Sequence, residues 1–122
     1  MNAKEIGKLA EDFACEFLKN RNCEIIERNW SCRKGETDII CIDGKEYVFA
    51  EVRCRKKTSS VKPADTLSPS KQKRIVRAAQ QYISDNNLNV YARFDFVGVV
   101  YSDASGEPVF EIETYLKRIE IV

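Results

Sequence analysis

Two acidic residues and one arginine stand in strand-like segments whose hydrophobic neighbours predict burial. Asp38 lies in the run Thr37–Ile42, and both Glu51 and Arg53 lie in the run Glu46–Cys54. Both runs are rich in β-branched and aromatic residues, which is typical of strands. Because successive side chains of a strand alternate between its faces, Glu51 and Arg53 share one face. The spacing therefore places the Glu51 carboxylate beside the Arg53 guanidinium in a segment that is predicted to be buried.

The turn between these two runs decides whether the two carboxylates meet, and Asp43-Gly44-Lys45 is a tight-turn signal. If Gly44-Lys45 forms a two-residue turn, Asp38 lies directly opposite Glu51. If Asp43-Gly44 is the turn, the two acids are diagonal neighbours on one face. Directly opposed residues have Cβ atoms about 5 Å apart, where like charges repel unless a cation lies between them or a pKa shifts. A divalent metal ion would satisfy both carboxylates.

Two other interpretations of the same residues stay open. A bulged turn would shift the register by one residue and send Asp38 and Glu51 to opposite faces. Alternatively, Arg53 and other cations neutralise a solvated sheet edge. Glu11, at the border of a helical apolar stripe next to Ala14, supplies a third carboxylate if it leans over the sheet edge, and otherwise faces water.

The chain contains no histidine, which excludes His-based catalytic triads, His-metal nucleases and the usual general base at neutral pH. Its five cysteines are odd in number and never form a Cys-x-x-Cys pair, so neither a disulfide framework nor a zinc knuckle is indicated. We interpret the cysteines as small buried or half-buried thiols. Acid, base or metal chemistry must come from the remaining residue types.

The net charge is only +1, but cations concentrate in one segment, where residues 52–77 contain nine cations and a single anion, Asp65. Ser68 and Pro69 place a helix N-terminus directly after the polar loop of residues 55–68. Helix N-termini attract anions, and cations near them oppose the helix dipole, so these charges need another reason. A solvated basic face is one explanation; the other is phosphate binding, for which the candidates are Arg55, Lys56, Lys57, Lys71, Lys73, Arg74 and Arg77.

Hydrophobic periodicity and turn signals predict an α-β-β-β-α-β-β order. The predicted helices are Ala3–Asn20 and a second that begins at Ser68-Pro69 and ends at Asp85-Asn86-Asn87; the predicted strands are Cys23–Cys32, Thr37–Ile42, Glu46–Cys54, Val90–Tyr101 and Pro108–Ile112. The tail from Thr114 to Val122 is ambiguous between strand and short helix. A meander followed by a helical crossover predicts an α/β domain with a mixed central sheet flanked by helices.

With 122 residues, the chain has the length of one ordinary domain, and we expect residues 1–122 to form a single one. Its composition, 43% hydrophobic and 32% charged residues, is typical of a soluble globular protein. No apolar run is long enough to span a bilayer, and Met1–Lys8 carries charges where a signal peptide would be apolar. We therefore expect a cytoplasmic protein with no membrane partner.

Beyond these inferences, the spacing resembles that of the YraN family, an uncharacterised bacterial family with the pattern G-E-x-D followed by (F/V)-x-E-V-K-x-R. The chain has Gly35-Glu36-x-Asp38 and, thirteen residues after Asp38, Glu51-Val52-Arg53-x-Arg55. The similarity covers most of the chain, with further matches at Gly7, Glu11, Ala14, Leu18, Asn29, Trp30, Ser68-Pro69-x-Lys71 and Arg93-Phe94-Asp95.

The resemblance implies a restriction-endonuclease-like fold related to archaeal Holliday-junction resolvases, and a possible homodimer as in those proteins. It implies that Asp38 and Glu51 bind Mg²⁺ or Mn²⁺, that Glu11 is an additional acidic ligand, and that Arg53 stands where the family has its catalytic lysine. Asp38, Glu51 and Arg53 would then be the catalytic residues. The partner implied is nucleic acid, and DNA in particular.

Arginine at the lysine position leaves two hypotheses for function. A buried lysine can lose its proton, whereas arginine stays charged and cannot act as a general base. The first hypothesis is a nucleic-acid-binding protein of nuclease-like fold that acts as a metal-dependent endonuclease on branched or single-stranded DNA. The second is a non-catalytic adaptor that binds nucleic acid or a protein and retains a degenerate site.

Overall fold

The fold is that of an α/β protein, and the computed structural model describes its residues 1–120, with side chains for residues 1–117. The elements are α1 (Ala3–Lys19), β1 (Cys23–Cys32), β2 (Gly35–Asp43), β3 (Glu46–Lys56), a short 3-10 helix (Pro63–Thr66), α2 (Pro69–Asp85), β4 (Tyr91–Ser102) and β5 (Val109–Glu120). The predicted α-β-β-β-α-β-β order is therefore confirmed.

The five strands form one sheet in the order β1-β2-β3-β4-β5. The β3–β4 pair is parallel, and the three other pairs are antiparallel. The parallel pair follows from the long connection through α2, because a parallel neighbour requires a crossover. The predicted mixed sheet flanked by helices is confirmed.

The two helices cover opposite faces of this sheet. On one face, α1 contributes Ala10, Ala14 and Leu18 to a cluster with alternate residues of the central strands, such as Ile39 and Ala50. On the other, α2 contributes its apolar stripe to a second cluster, which includes Ile75, Ala79, Tyr82, Ile40, Phe49 and Phe94. Because both faces are covered, a charged side chain in the central strands must lie at an end of the sheet or have a partner.

Most predicted boundaries lie within a few residues of the observed ones, and Cys23–Cys32 agrees with the structure. The ambiguous tail is strand as far as Glu120, whereas Ile121 and Val122 lie outside the described residues. The segment predicted as a loop is shorter than expected, since β3 extends to Lys56 and Pro63–Thr66 forms a 3-10 helix.

All five cysteines are free; three are buried and two half-buried, as predicted. Within residues 1–120, no helix is long and apolar enough to cross a bilayer.

Two glycines shape the β2–β3 hairpin. Gly44 adopts a φ of +63°, which glycine reaches without strain, and together with Lys45 it forms the two-residue turn. At the other end of β2, a Cβ on Gly35 would lie 2.9 Å from the backbone oxygen of Arg74 in α2. Glycine at position 35 therefore allows β2 to begin directly against the backbone of α2.

A buried ion cluster fixes the turn end of this hairpin to the neighbouring strands. The Arg93 side chain, 2% exposed, contacts Asp43 at 2.9 Å, Glu46 at 3.0 Å and Asp95 at 3.0 Å. The Tyr115 hydroxyl donates a hydrogen bond of 2.7 Å to the other oxygen of Asp95. One guanidinium thus links the β2–β3 turn to β4, and Asp95 extends the connection to β5.

We expect Arg93→Met to lower the free energy of unfolding by about 3 to 5 kcal/mol, because it removes the cation from a buried carboxylate. The matched control is Lys57→Met, since the Lys57–Glu111 pair has exposed side chains (57% and 54%). An exposed pair of this kind contributes less than about 1 kcal/mol. Urea denaturation of both variants is the measurement, and equal losses would contradict this account of Arg93.

Candidate active site at the separation of two strands

The β2–β3 ladder ends one residue before the predicted acidic pair. It runs from Asp43–Glu46 to Ile39–Ala50, and the same register places Asp38 opposite Glu51. In place of a further backbone pair, the Val52 amide donates a hydrogen bond of 2.8 Å to Oδ2 of Asp38. The register predicted from a Gly44-Lys45 turn is confirmed, and the alternative in which a bulge sends the two acids to opposite faces is wrong.

The Glu51 carboxyl group is buried, with 6% of its side chain exposed. Burial, together with the neighbouring Asp38 carboxylate, raises the pKa of Glu51 to about 8, although Arg53 acts in the opposite direction. Two carboxyl groups that close together favour holding one proton between them, unless a cation replaces it. At neutral pH the proton on Glu51 relieves this repulsion, and a cation that binds the pair must replace that proton.

Arg53 places a positive charge beside the Glu51 carboxyl group. One of its terminal nitrogens lies 2.5 Å from Oε2 of Glu51, and about a third of the side chain (32%) is exposed. Its Nε atom is buried and has no hydrogen-bond partner within the described residues. Arg53 also lies between two cavities, one on the α1 side and one on the α2 side. The side chain thus has donor capacity left for a further ligand.

The larger cavity is an open cleft of about 480 Å³ between α1 and the ends of the strands. Its polar wall contains the residues Asp38, Arg53, Arg55 and Lys56. Glu11 also lines it, but not as a free carboxylate: Oε1 accepts hydrogen bonds of 3.2 and 3.0 Å from Arg28. The cleft therefore combines anionic and cationic groups within reach of solvent.

The three predicted metal ligands do not form a single cluster. In the part of the chain that the structure describes, no group of three or more acidic, cysteine or histidine side chains is arranged to hold a metal ion. Glu11 leans over the sheet edge, as one of its two alternatives predicted, but its carboxylate is bound to Arg28. The donor set for a metal is thus reduced to Asp38 and Glu51.

Two carboxylates are nevertheless a donor set that suits Mg²⁺ or Mn²⁺, which prefer oxygen ligands and commonly keep several waters alongside one or two carboxylates. Burial of Glu51, together with the neighbouring charge of Asp38, raises the pKa of Glu51, so the fully ionised pair requires positive charge beside it. The residues present therefore fit a divalent cation, with Asp38 and Glu51 as its ligands.

Of the predicted phosphate-binding residues, four lie near this pair. Arg55 and Lys56 line the large cleft, and Lys56 also contacts Asp103 at 3.3 Å. Lys71 and Arg74, from the first turns of α2, line the second cavity, of about 60 Å³, together with Glu51 and Arg53. The basic loop and the start of α2 thus approach the acidic pair from two sides.

The remaining three candidates lie elsewhere. Lys57 forms an exposed ion pair of 2.8 Å with Glu111 on β5. Lys73 and Arg77 are exposed on α2 and line neither of the two cavities beside Arg53. The acidic C-terminal part of the chain thus neutralises part of the basic segment, which a linear charge count does not reveal.

Sequence reasoning misses two contributions to the cleft. Arg28, which binds Glu11, is separated from it by seventeen residues, and no motif connects the two. The opposite wall comes from small and apolar residues of α1, whose spacing predicts only a core face, and Tyr101 lies at the cleft as well. Gly7, in the interior of a helix, is the available signal for this wall.

Comparison with known proteins gives a consistent family match. A family model described as "Uncharacterised protein family UPF0102" matches residues 10–99, a range that includes the acidic pair and Arg53. The UPF0102 protein of Dictyoglomus turgidum is 40% identical over 103 residues, covering 84% of this chain and 87% of its own. That of Nitrosococcus oceani is 39% identical over 98 residues, covering 79% of each chain. A relative from Lawsonia intracellularis is 37% identical over 121 residues, covering 98% and 89%.

The raised pKa of Glu51 predicts how stability changes with pH in metal-free buffer. Because the folded pKa of about 8 exceeds the ordinary value of 4.5, the folded state holds an extra proton between these values. The associated stability is complete below the unfolded pKa and is lost as the pH rises through the folded one. We expect the free energy of unfolding to fall by up to about 1.4 kcal/mol per pH unit across that window.

Glu51→Gln should remove this slope, whereas the exposed-carboxylate control Glu16→Gln should keep it. Urea denaturation between pH 5.5 and 8 is the measurement, and the absence of histidine leaves that window free of imidazole titration. Parallel profiles for the wild type and Glu51→Gln would show that Glu51 does not carry the proton.

Proposed function

The chain belongs to the UPF0102 family, also known as YraN, and we propose that it is a nucleic-acid-binding protein of nuclease-like fold that hydrolyses phosphodiester bonds in DNA with Mg²⁺ or Mn²⁺. The observation that carries the proposal is the pair Asp38 and Glu51, held together at the point where β2 and β3 separate. Cations from the end of β3 and the start of α2 surround this pair.

The geometry supports distinct roles for the three residues. Asp38 is held in place by the Val52 amide, so its carboxylate is oriented before any ligand arrives. Glu51 must lose a proton to bind a cation, which makes binding stronger as the pH rises. A divalent cation bound by this pair would polarise the phosphodiester and lower the pKa of a water molecule.

Arg53 supplies a permanent positive charge beside the carboxylates. A guanidinium stabilises negative charge that develops on a phosphate, but it cannot accept a proton from the attacking water. In this proposal Arg53 stabilises the transition state, and proton transfer does not depend on it.

A second function has its own support in the Glu51–Arg53 contact of 2.5 Å. An arginine bound this closely already neutralises the carboxylate that a metal ion would need. That arrangement favours a non-catalytic adaptor, which binds nucleic acid through Arg55, Lys56, Lys71 and Arg74. The two functions differ in metal dependence, because the adaptor needs no divalent ion.

We expect Mn²⁺ to raise the melting temperature of the wild type, because a ligand that binds only the folded state stabilises it. At one hundred times the dissociation constant the gain is about 2.7 kcal/mol. Asp38→Ala should abolish the shift, and so should the isosteric Asp38→Asn. Asp85→Asn, at the exposed end of α2, is the matched control and should keep it. A shift of equal size in Asp38→Asn would place the ion elsewhere.

Cleavage assays on branched, single-stranded and linear duplex DNA with Mg²⁺ or Mn²⁺ then separate the two functions. The nuclease hypothesis predicts products from the wild type, none from Glu51→Ala, and a higher rate for Arg53→Lys if the missing lysine chemistry limits the reaction. The adaptor hypothesis predicts no product and DNA binding that weakens steeply with salt but is unchanged by EDTA.

A further inference from the structure

The large cleft has two chemically different walls. The strand side presents charged groups, among them Arg53 and Arg55. The opposite side is formed by one face of α1, where four lining residues are small or apolar, Ala3, Ile6, Gly7 and Ala10, and the fifth, Glu11, is bound to Arg28. Phosphate binding by the strand side alone does not require an apolar wall facing it. A ligand that fills this cleft therefore has both a negatively charged part and an apolar part.

Gly7 is the least expected residue of that wall. It lies in the interior of α1, where glycine destabilises a helix by roughly 0.5 to 1 kcal/mol relative to alanine. A Cβ added at position 7 would meet no atom within 4 Å, so close packing does not explain the glycine. Since Gly7 lines the cleft, a side chain at this position would occupy the cleft itself.

Tyr101 adds an aromatic ring to the same cleft. The ring is half-buried and packs against Phe110 at a centroid distance of 6.2 Å, which holds it in position. Aromatic rings and flat apolar surfaces are where proteins seat the faces of unpaired bases, and each such contact contributes about 1 to 3 kcal/mol. In a duplex those faces are stacked on one another and cannot reach a protein wall.

We propose that this cleft seats one nucleotide of an unpaired strand, with its base or sugar against the Gly7 wall and Tyr101 and its phosphate beside Arg53 and Arg55. The inference rests on the proposed function, and it names single-stranded rather than duplex nucleic acid as the substrate form at this site. The volume of about 480 Å³ falls in the range of pockets that hold one small ligand. The buried Nε of Arg53, which has no partner within the described residues, supplies a donor for the phosphate.

The test compares Gly7→Leu with Gly7→Ala. Both variants should fold, because both residues favour helix more than glycine does and position 7 has open space. Leucine extends into the cleft, whereas a single methyl group leaves most of it open. Melting temperatures at or above that of the wild type check that the fold is intact.

Binding of a fluorescent twelve-nucleotide oligothymidine and of a blunt-ended duplex of two annealed strands is then measured by anisotropy, in EDTA and at fixed low salt. We expect Gly7→Leu to weaken oligothymidine binding about tenfold or more, the loss of one base contact, and to leave duplex binding within about twofold. Gly7→Ala should match the wild type. Photocrosslinking of a 5-iodouracil oligonucleotide should yield a crosslinked peptide that contains Tyr101.

Unchanged oligothymidine binding by Gly7→Leu overturns the inference, and so does an equal loss for oligothymidine and duplex. Neither result bears on the proposed metal site, because Mn²⁺ is expected to raise the melting temperature of Gly7→Leu as much as that of the wild type. If the wild type binds neither DNA while Mn²⁺ still stabilises it, nucleic-acid recognition itself fails. These outcomes distinguish a wrong substrate form from a wrong function.

Discussion

The close approach of two carboxyl groups, the buried Glu51 and the half-buried Asp38, determines the properties of the rest of the site. The hairpin register brings them together, and the pKa of Glu51 is raised by its burial and by the neighbouring Asp38 carboxylate. A fold that needed only stability would gain by replacing one of them with an apolar residue. The surrounding structure instead holds them in place: the Val52 amide fixes Asp38, and Arg53 partly neutralises Glu51. Such a pair is suited to the reversible binding of a cation or a proton.

The scaffold keeps this pair rigid by anchoring both ends of the hairpin. At the turn end, Arg93 joins Asp43 and Glu46 to the buried Asp95. At the open end, Gly35 lets β2 begin directly against the backbone of α2. With both ends held, β2 and β3 separate beyond Ile39 and Ala50, where Asp38 lines the large cleft and Glu51 lines the small cavity on the α2 side. The basic residues at the end of β3 and the start of α2 place positive charge along the walls of these cavities.

The site is predictable from the sequence to the extent that its geometry is local. The turn at Gly44-Lys45 fixes the register, and strand alternation then puts Glu51 and Arg53 on the face that Asp38 shares. Contacts between distant elements cannot be predicted in this way, because no spacing rule connects Arg28 to Glu11 or Lys57 to Glu111. Sequence reasoning therefore assigns the third carboxylate to the metal site although an arginine already binds it. The role of Gly7 could not be predicted either, because it depends on the open space beside α1, and that space is set by elements distant in the sequence.

Paramagnetic broadening by Mn²⁺ in an amide NMR spectrum reports where the ion binds, whether or not catalysis occurs. If Asp38 and Glu51 bind the ion, substoichiometric Mn²⁺ should broaden the amide signals of Asp38, Glu51 and Val52 first. Gly44 should stay sharp, since it lies seven strand positions from Glu51, about 23 Å away. Early broadening of Gly44, which would place the ion at the Asp43 and Glu46 carboxylates, would contradict the account, as would broadening of the same extent throughout the chain.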